Sequence, residues 1–288
     1  MSPSQHSEAT TRLLESARSL TRSDDGIWIG TSDSSTSFVE EMHDLCADLE
    51  DGSFWFQHRN RCIVEMVRRH RPSGPIVDLG GGNGYVTRGL REAGIEALVM
   101  EPGHAGARNA QRRGLAPVIR GTLGASGFPP ESLPAVGLFD VVEHLPDDRA
   151  FLREVHQFLI RDGLVYLTVP AYQWLWSNED EEAGHFRRYT LRTIRHTLRD
   201  SGFRVIFSTY FFFPLPGPIL LFRAIPTRLG RKSQLVSHEG AHQSARRPSL
   251  GARLLKLILN PEPACIKHGI SIPFGGSCLV AAQRVTQS

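Results

Sequence analysis

The sequence predicts an α/β fold, a Rossmann-like doubly wound sheet of seven strands with N-terminal helices and a helical insert between strands six and seven. Three observations carry that expectation. Between Pro75 and Phe207, short apolar runs alternate with segments of helical periodicity, the pattern of a parallel sheet covered on both faces. The first of these runs ends in Gly80-Gly81-Gly82-Asn83-Gly84, a loop between strand and helix, where such sheets bind ligands. The chain of 288 residues is long enough to bury a full core in one such domain and leave material over.

Taken in order, residues 1–35 are rich in Ser, Thr and charge apart from Ile27-Trp28-Ile29, and read as a flexible segment: a loose helix, then a disordered or tethered arm. Residues 36–74 read as an N-terminal helical cap. One helix is expected over Phe38 to Leu49, and a second after Arg59 through Ile63, Val64, Met66 and Val67, with the aromatic-basic cluster Phe54 to Asn60 between them. The core spans 75–213. Its first strand is Ile76-Val77-Asp78-Leu79, and a helix from Tyr85 to Ala93 stops at Gly94. Ala97 to Glu101, Pro117 to Ile119 and Ala135 to Val142 are the next three strands, with a helix from His104 to Arg113 after the first of them. Asp147 or Asp148 caps a helix whose Phe151, Leu152, Val155 and Leu159 share a face. Gly163 ends it before the fifth strand, Leu164 to Val169. A helix from Thr190 to Ser201 leads through Gly202 to the sixth strand at Phe203. Residues 214–269 form the insert: an apolar helix at Ile219 to Ile225, a polar linker from Gly230 to Arg247, and a helix capped by Ser249 that carries Leu250, Leu254, Leu255 and Ile258. The last strand and tail occupy 270–288.

Composition narrows the function classes. A net charge of +3 is too small to imply nucleic acid, and the basic residues cluster in the insert rather than along a groove. Cys46, Cys62, Cys265 and Cys278 are scattered, with no CxxC pair and no Cys/His cluster at ligand spacing, which reads as reduced cytosolic thiols and implies no metal. The polar N-terminus lacks an apolar signal-peptide core. Tyr210 to Ile225 is the most apolar stretch, but Pro214, Pro216, Pro218 and Arg223 interrupt it, short of the roughly 20 apolar residues of a spanning helix. The expected location is cytoplasmic, with peripheral contact to the inner membrane as the open alternative.

The glycine spacing discriminates between cofactors. A dinucleotide fingerprint G-x-G-x-x-G places its third glycine at 85, where this chain has Tyr85. Here Asp78 precedes glycines 80, 82 and 84. That order, D-x-G-x-G-x-G, resembles the first motif of class I methyltransferases that use S-adenosylmethionine (SAM). A carboxylate suits the ammonium of the SAM amino-acid part, and Glu101, ending the second strand, is placed for the ribose hydroxyls. Phe139-Asp140-Val141-Val142-Glu143-His144-Leu145 resembles the fourth-strand motif of the branch with quinone-type and polyketide- or sugar-directed enzymes. The stretch from Leu167 to Thr190, with Thr168-Val169-Pro170-Ala171, Leu175-Trp176-Ser177 and Gly184-His185-Phe186-Arg187-Arg188-Tyr189-Thr190, is similar to a type 11/23-like bacterial subgroup. That subgroup also carries F-W-F-x-x-R-N, here residues 54–60, and P-F-G-x-S, here Pro273 to Ser277, so the resemblance covers roughly 50 to 284. Two departures stand out. Arg161-Asp162-Gly163-Leu164 replaces the usual K-P-G-G turn, and Gly121 to Ala125 lacks the acidic residue that touches adenine in many relatives.

The resemblance implies a SAM site of Asp78, Gly80, Gly82, Gly84, Glu101, Pro102, Thr122, Leu123, Asp140, Val141 and His144, closed over by Trp55 and Arg59, the latter pairing with the methionine carboxylate. Trp55 and Tyr172 would act through cation–π attraction to the sulfonium, and for each of Trp55, Arg59 and Tyr172 helix packing is the alternative. His185 is the first candidate for a general base, and His144 the second. Each has a structural alternative: His185, Arg187 and Arg188 would order their loop through ion pairs with Glu179 to Glu182, and His144 would line the SAM site. Trp174 and Trp176 read as lid packing. The insert is apolar at Phe211 to Phe213 and Leu220 to Phe222, and basic at Arg223, Arg228, Arg231, Lys232, Arg246, Arg247, Arg253 and Lys256. It reads as a cap over a small-molecule or lipid- or carrier-linked acceptor, as a membrane contact through residues 211–256, or as a hairpin that packs on the sheet or makes a homodimer. The expected function is methyl transfer to O, N or C of a natural-product, cell-envelope sugar or quinone-like acceptor. The competing reading is a catalytically inactive SAM-fold scaffold.

Overall fold

The computed structural model describes residues 7–30, 50–230 and 250–285, with side chains from 255 onward in the last stretch. Within them a single nine-stranded sheet runs in the order β1-β2-β5-β4-β3-β6-β7-β9-β8. The seven expected strands are β3 (Ile76–Leu79), β4 (Ala97–Glu101), β5 (Val118–Arg120), β6 (Leu133–Phe139), β7 (Leu159–Pro170), β8 (Phe203–Phe211) and β9 (Ser277–Arg284). β5, β4, β3, β6 and β7 are mutually parallel, whereas β9 inserts antiparallel between β7 and β8. The order therefore reverses at β3/β6, and the crevice outside the strand ends opens there.

The other two strands come from the N-terminal segment. There, α1 (Glu8–Ser16) leads into a ribbon of β1 (Thr21–Arg22) and β2 (Trp28–Ile29), and β2 pairs in parallel with β5 through Trp28 and Ile119. Over residues 8–29 the structure thus shows a docked helix and ribbon where a loose arm is expected. Apolar burial is the reason: Leu13, Leu14, Ala17 and Ile27 are buried, and the ribbon covers what would be an open sheet edge. The helix expected over 38–49 lies outside the described residues, as do the Ser249 cap, most of the polar linker and Cys46.

Helices cover both faces. On one, Leu152 and Val155 of α5 (Asp148–Phe158) and Ile194 and Leu198 of α7 (Leu191–Asp200) pack with Val77, Leu98 and Val136. On the other, Ile63, Met66 and Val67 of α2 (Phe54–Arg69) and Leu90 of α3 (Tyr85–Glu92) pack with Ile76, Ala97 and Tyr166. Successive residues of β3 point to opposite faces, so Ile76 feeds one core and Val77 and Leu79 the other. Asp147 caps α5 by accepting from the Ala150 N–H at 2.9 Å. Several boundaries differ from expectation: β6 ends at Phe139 rather than Val142, and β9 begins at Ser277 rather than Ile270. α2 begins at Phe54 rather than after Arg59, which puts the aromatic-basic cluster on the helix, and Gly163 lies within β7 rather than ending α5. A fifth helix, α4 (His104–Arg112), covers β4 and β5, and a short one, α6 (Asn178–Glu182), follows β7.

The insert folds as α8 (residues 216–228, with a π turn at Leu220–Ala224), α9 (Leu250–Leu259) and α10 (Pro261–Lys267). It is latched at two places. Glu262 of α10 accepts from the Phe212 and Phe213 N–H groups at 2.8 and 2.6 Å and pairs with His58 at 2.7 Å. α8 is tied to α6 by Arg223–Glu179 at 2.6 Å, and to the turn after β7 by Arg228 Nη2 donating to the Trp174 carbonyl at 2.8 Å. No helix among the described residues is long and apolar enough to cross a membrane.

Candidate active site

At the carboxyl ends of β3, β4 and β6 lies a cavity of about 470 Å³, lined by the glycine loop, Glu101, Pro102, Thr122, Leu123, Asp140, Val141 and His144. Its floor is backbone. Gly80 and Gly82 take positive φ (66° and 51°), and a Cβ on Gly80 would press on Val141 Cγ2 at 3.0 Å. Only glycine lets the main chain come this close to an occupant. Glu101 accepts from the Gly82 N–H at 2.8 Å and the Gly103 N–H at 2.7 Å, one on each carboxylate oxygen.

Asp78 sits beneath the loop, 1% exposed, and accepts from the Thr87 hydroxyl at 2.7 Å. Burial pushes its carboxyl up to about 6, against the hydrogen bond from Thr87 and the charge of Arg59. A buried acid held this far from its usual range is poised to meet a cation. Arg59 reaches the cavity from α2, but its Nη2 pairs with Asp140 Oδ2 at 2.7 Å while its Nε has no partner. Asp140, at φ 58°, is fixed from the other side by the Thr168 hydroxyl at 2.8 Å.

A second cavity of about 220 Å³ adjoins the first and shares Asp140 with it. Trp55, Glu143, Asp180, His185 and Arg188 line it, and Ile219 and Arg223 of α8 roof it. Asp180 organises this wall. It is 1% exposed and takes Arg188 on both oxygens (2.7 and 2.9 Å), His185 Nδ1 at 2.8 Å and the Ser177 N–H at 2.9 Å. Burial opposes its ionisation, but the hydrogen bonds from His185 and Arg188 outweigh it and hold the carboxyl below the usual range. His185 therefore has one nitrogen fixed and the other left for a ligand. Its ring meets His144 edge-on, with centroids 4.7 Å apart. Burial, and then His185, push the His144 imidazole down to about 4, so it is neutral at pH 7.

Eleven of the fourteen residues that the sequence marks out for the cofactor or catalysis line the first cavity: Arg59, Asp78, Gly80, Gly82, Glu101, Pro102, Thr122, Leu123, Asp140, Val141 and His144. His185 lines the second. Two fall elsewhere. Gly84 caps α3 at φ 74° beneath the loop, where a Cβ would collide with Leu115, so it serves packing. Trp55 stacks on Phe212 at 3.7 Å and faces the second cavity, because α2 starts early enough to swing it away from the glycine loop. Tyr172 also packs: its ring lies between Trp174, Tyr210 and Phe274. Arg187 reaches Asp148 at 3.3 Å rather than the acidic run, leaving Asp180 to His185 and Arg188. Glu143 has no role in the sequence reading beyond its place in the fourth-strand motif, Asp180 enters only as one of four acids expected to pair with the His185 loop, and Arg223 only as one of the basic residues of the insert.

Spacing along the chain shows no ligand cluster, but among the described residues two groups of three metal-type side chains come together in space: His58, Cys62 and Glu262, and Glu143, His144 and His185. A further cavity of about 770 Å³ is a groove between α2, α3 and α10 away from the strand ends.

Residues 52–207 match the sequence profile of a methyltransferase domain. The chain belongs to the methyltransferase domain family. The methyltransferase is similar in fold to a Haemonchus contortus phosphoethanolamine N-methyltransferase solved with SAM (15% identity over 87% of this chain and 58% of that one, TM-score 0.54). It is also similar to the [4+2]-cyclase SpnF (16%, 90% and 99%, 0.53) and to a SAM-dependent methyltransferase of Thermotoga maritima (15%, 85% and 98%, 0.50). No curated protein matches significantly. At these identities the structures speak to fold alone. The residues fit the cofactor: a backbone cradle without Cβ atoms, an acid fixed at a strand end, and a buried acid awaiting a cation.

Proposed function

We propose that the methyltransferase moves the methyl group of SAM, held in the 470 Å³ cavity, to a small or lipid- or carrier-linked acceptor in the 220 Å³ cavity. The observation that supports this best is the single shared wall. Asp140 lines both cavities, and His144 and His185 meet edge-on where they join. Two sites so close allow an in-line approach of acceptor to methyl, and such positioning is worth about 7–11 kcal/mol of barrier. The bound cofactor supplies a sulfonium-activated methyl group.

In this reading Glu101 takes the ribose hydroxyls, with Pro102, Thr122 and Leu123 flanking the adenine. Asp78 faces the ammonium, and the glycine loop offers backbone N–H groups. Arg59 orders Asp140 and turns its remaining donors to the carboxylate. Asp180 holds the His185 ring so that its other nitrogen faces the acceptor. The outer face of α8 supports an acceptor that arrives from a lipid surface: Leu221, Phe222, Ile225 and Leu229 are exposed there beside Arg228.

Methyl-labelled SAM is the probe, incubated with protein and with cell-envelope lipid, quinone and phenolic acceptors. The expected result is label in an organic product with the wild type and none with an Asp78→Ala, Glu101→Ala double variant. Wild-type protein that binds SAM yet transfers label to no acceptor class would favour the scaffold reading.

A further inference from the structure

This inference rests on the acceptor cavity proposed above and asks what its buried polar wall holds. Glu143 and His144 leave β6 on a short 3-10 turn, and His185 arrives from the loop after α6. The Phe186 N–H donates to the Glu143 carbonyl at 2.8 Å, which binds the two loops together. One ligand atom each from Glu143, His144 and His185 lies within 4.8 Å of the other two. Glu143 is 1% exposed, and its Oε2 has no hydrogen-bond partner. An unpartnered buried carboxyl oxygen carries a large desolvation cost unless something outside the chain's own side chains meets it.

We propose that Glu143, His144 and His185 form a site for a divalent transition-metal cation at the junction of the two cavities. Two imidazoles and one carboxylate suit zinc, manganese or ferrous iron, and leave coordination positions open towards the acceptor. Asp180 completes the pattern, since metal-binding imidazoles commonly give their second nitrogen to a carboxylate that orients the ring. The other cluster offers a contrast. His58, Cys62 and Glu262 are engaged with one another and with the Phe212 and Phe213 N–H groups, away from both cavities, so they act as a latch.

The site narrows the acceptor to one that presents a hydroxyl. A cation beside the hydroxyl stabilises its conjugate base, so the proton leaves for solvent without an imidazole to receive it. The oxygen lone pair then forms the O–CH₃ bond, and the C–S bonding pair returns to sulfur. His185 here ligates instead of taking the proton itself.

The test is metal binding by chelator-stripped full-length protein without SAM. Zn²⁺ and Mn²⁺ are titrated calorimetrically, and Co²⁺ is followed by visible absorption. One equivalent should bind to the wild type. Glu143→Gln should weaken it by more than ~100-fold, beyond the ~10–100-fold expected from losing an outer-shell partner. Cys62→Ala should bind as the wild type does. S-adenosylhomocysteine affinity, read on each protein, reports folding and the cofactor site separately. Wild-type protein that binds S-adenosylhomocysteine but no metal overturns the proposal and leaves the cofactor reading intact. Binding lost with Cys62→Ala but kept with Glu143→Gln also overturns it.

Discussion

Asp78 makes cofactor affinity depend on pH in a calculable way. Its carboxyl stands at about 6 against an ordinary 3.8, because burial outweighs the Thr87 hydrogen bond and the Arg59 charge. That difference amounts to about 3 kcal/mol in favour of the neutral form. For stability the sign is plain: the cost of ionising Asp78 is absent below about 3.8, grows as pH rises, and is fully present above about 6. For an occupant with an ammonium the sign reverses. Binding requires the ionised acid, so the association constant follows the ionised fraction, roughly one in eleven at pH 5 and ten in eleven at pH 7. Calorimetric titration with S-adenosylhomocysteine, whose amino-acid part matches that of SAM, should show about tenfold tighter binding at pH 7 than at pH 5. Asp78→Asn should bind more weakly at pH 7 and lose the pH dependence between these values. Thr87→Val removes the hydrogen bond that favours the ionised acid and should move the rise to higher pH. A wild-type affinity that is flat from pH 5 to 7, or a slope that survives Asp78→Asn, would refute the assignment of Asp78 to the ammonium.

Other outcomes follow from the packing. Gly84→Ala combines a φ of 74° with a collision at Leu115, and should cost more than about 1 kcal/mol in urea unfolding, while the cavity lining itself is untouched. Asp180→Asn keeps the shape but leaves Arg188 without its buried counter-charge. It should destabilise the fold by about 3–5 kcal/mol, whereas His185→Gln should leave the urea midpoint nearly unchanged and lower methyl transfer. Leu221→Asp with Leu229→Asp changes only exposed positions and should abolish co-sedimentation with anionic vesicles without altering S-adenosylhomocysteine affinity. Persistent co-sedimentation would remove α8 from the account of how the acceptor arrives.

The parts of the fold legible in the sequence were those set by local chemistry. β3 and β4 are continuous apolar runs with an acid near or at the end, and Gly80 to Gly84 announces its turn by composition. The N-terminal ribbon was not legible, since strands of two residues have no alternation to read, and Trp28 and Ile29 are held as a strand by pairing with β1 and β5. The start of α2 was obscured because Phe54-Trp55-Phe56 has modest helix propensity and is held helical by packing, Trp55 against Phe212. In the site, the cofactor side was mostly readable because it clusters at the ends of neighbouring strands. The acceptor side was not. Pairing of the acidic run with the His185 loop was readable, but four acids in succession offer equal partners, and only the fold shows that Asp180 is the one that takes His185 and Arg188. Arg59 was readable as a site residue but not its pairing with Asp140, which depends on where α2 crosses β6.

The central claim is that the 470 Å³ cavity is a SAM site built on Asp78, the glycine loop and Glu101. Calorimetric titration of the wild type and the Asp78→Ala, Glu101→Ala double variant with SAM near neutral pH tests it most directly. The account predicts one molecule bound per chain with micromolar affinity, and loss of that binding in a variant that still unfolds cooperatively. Equal binding by both proteins, or none by the wild type, would contradict it.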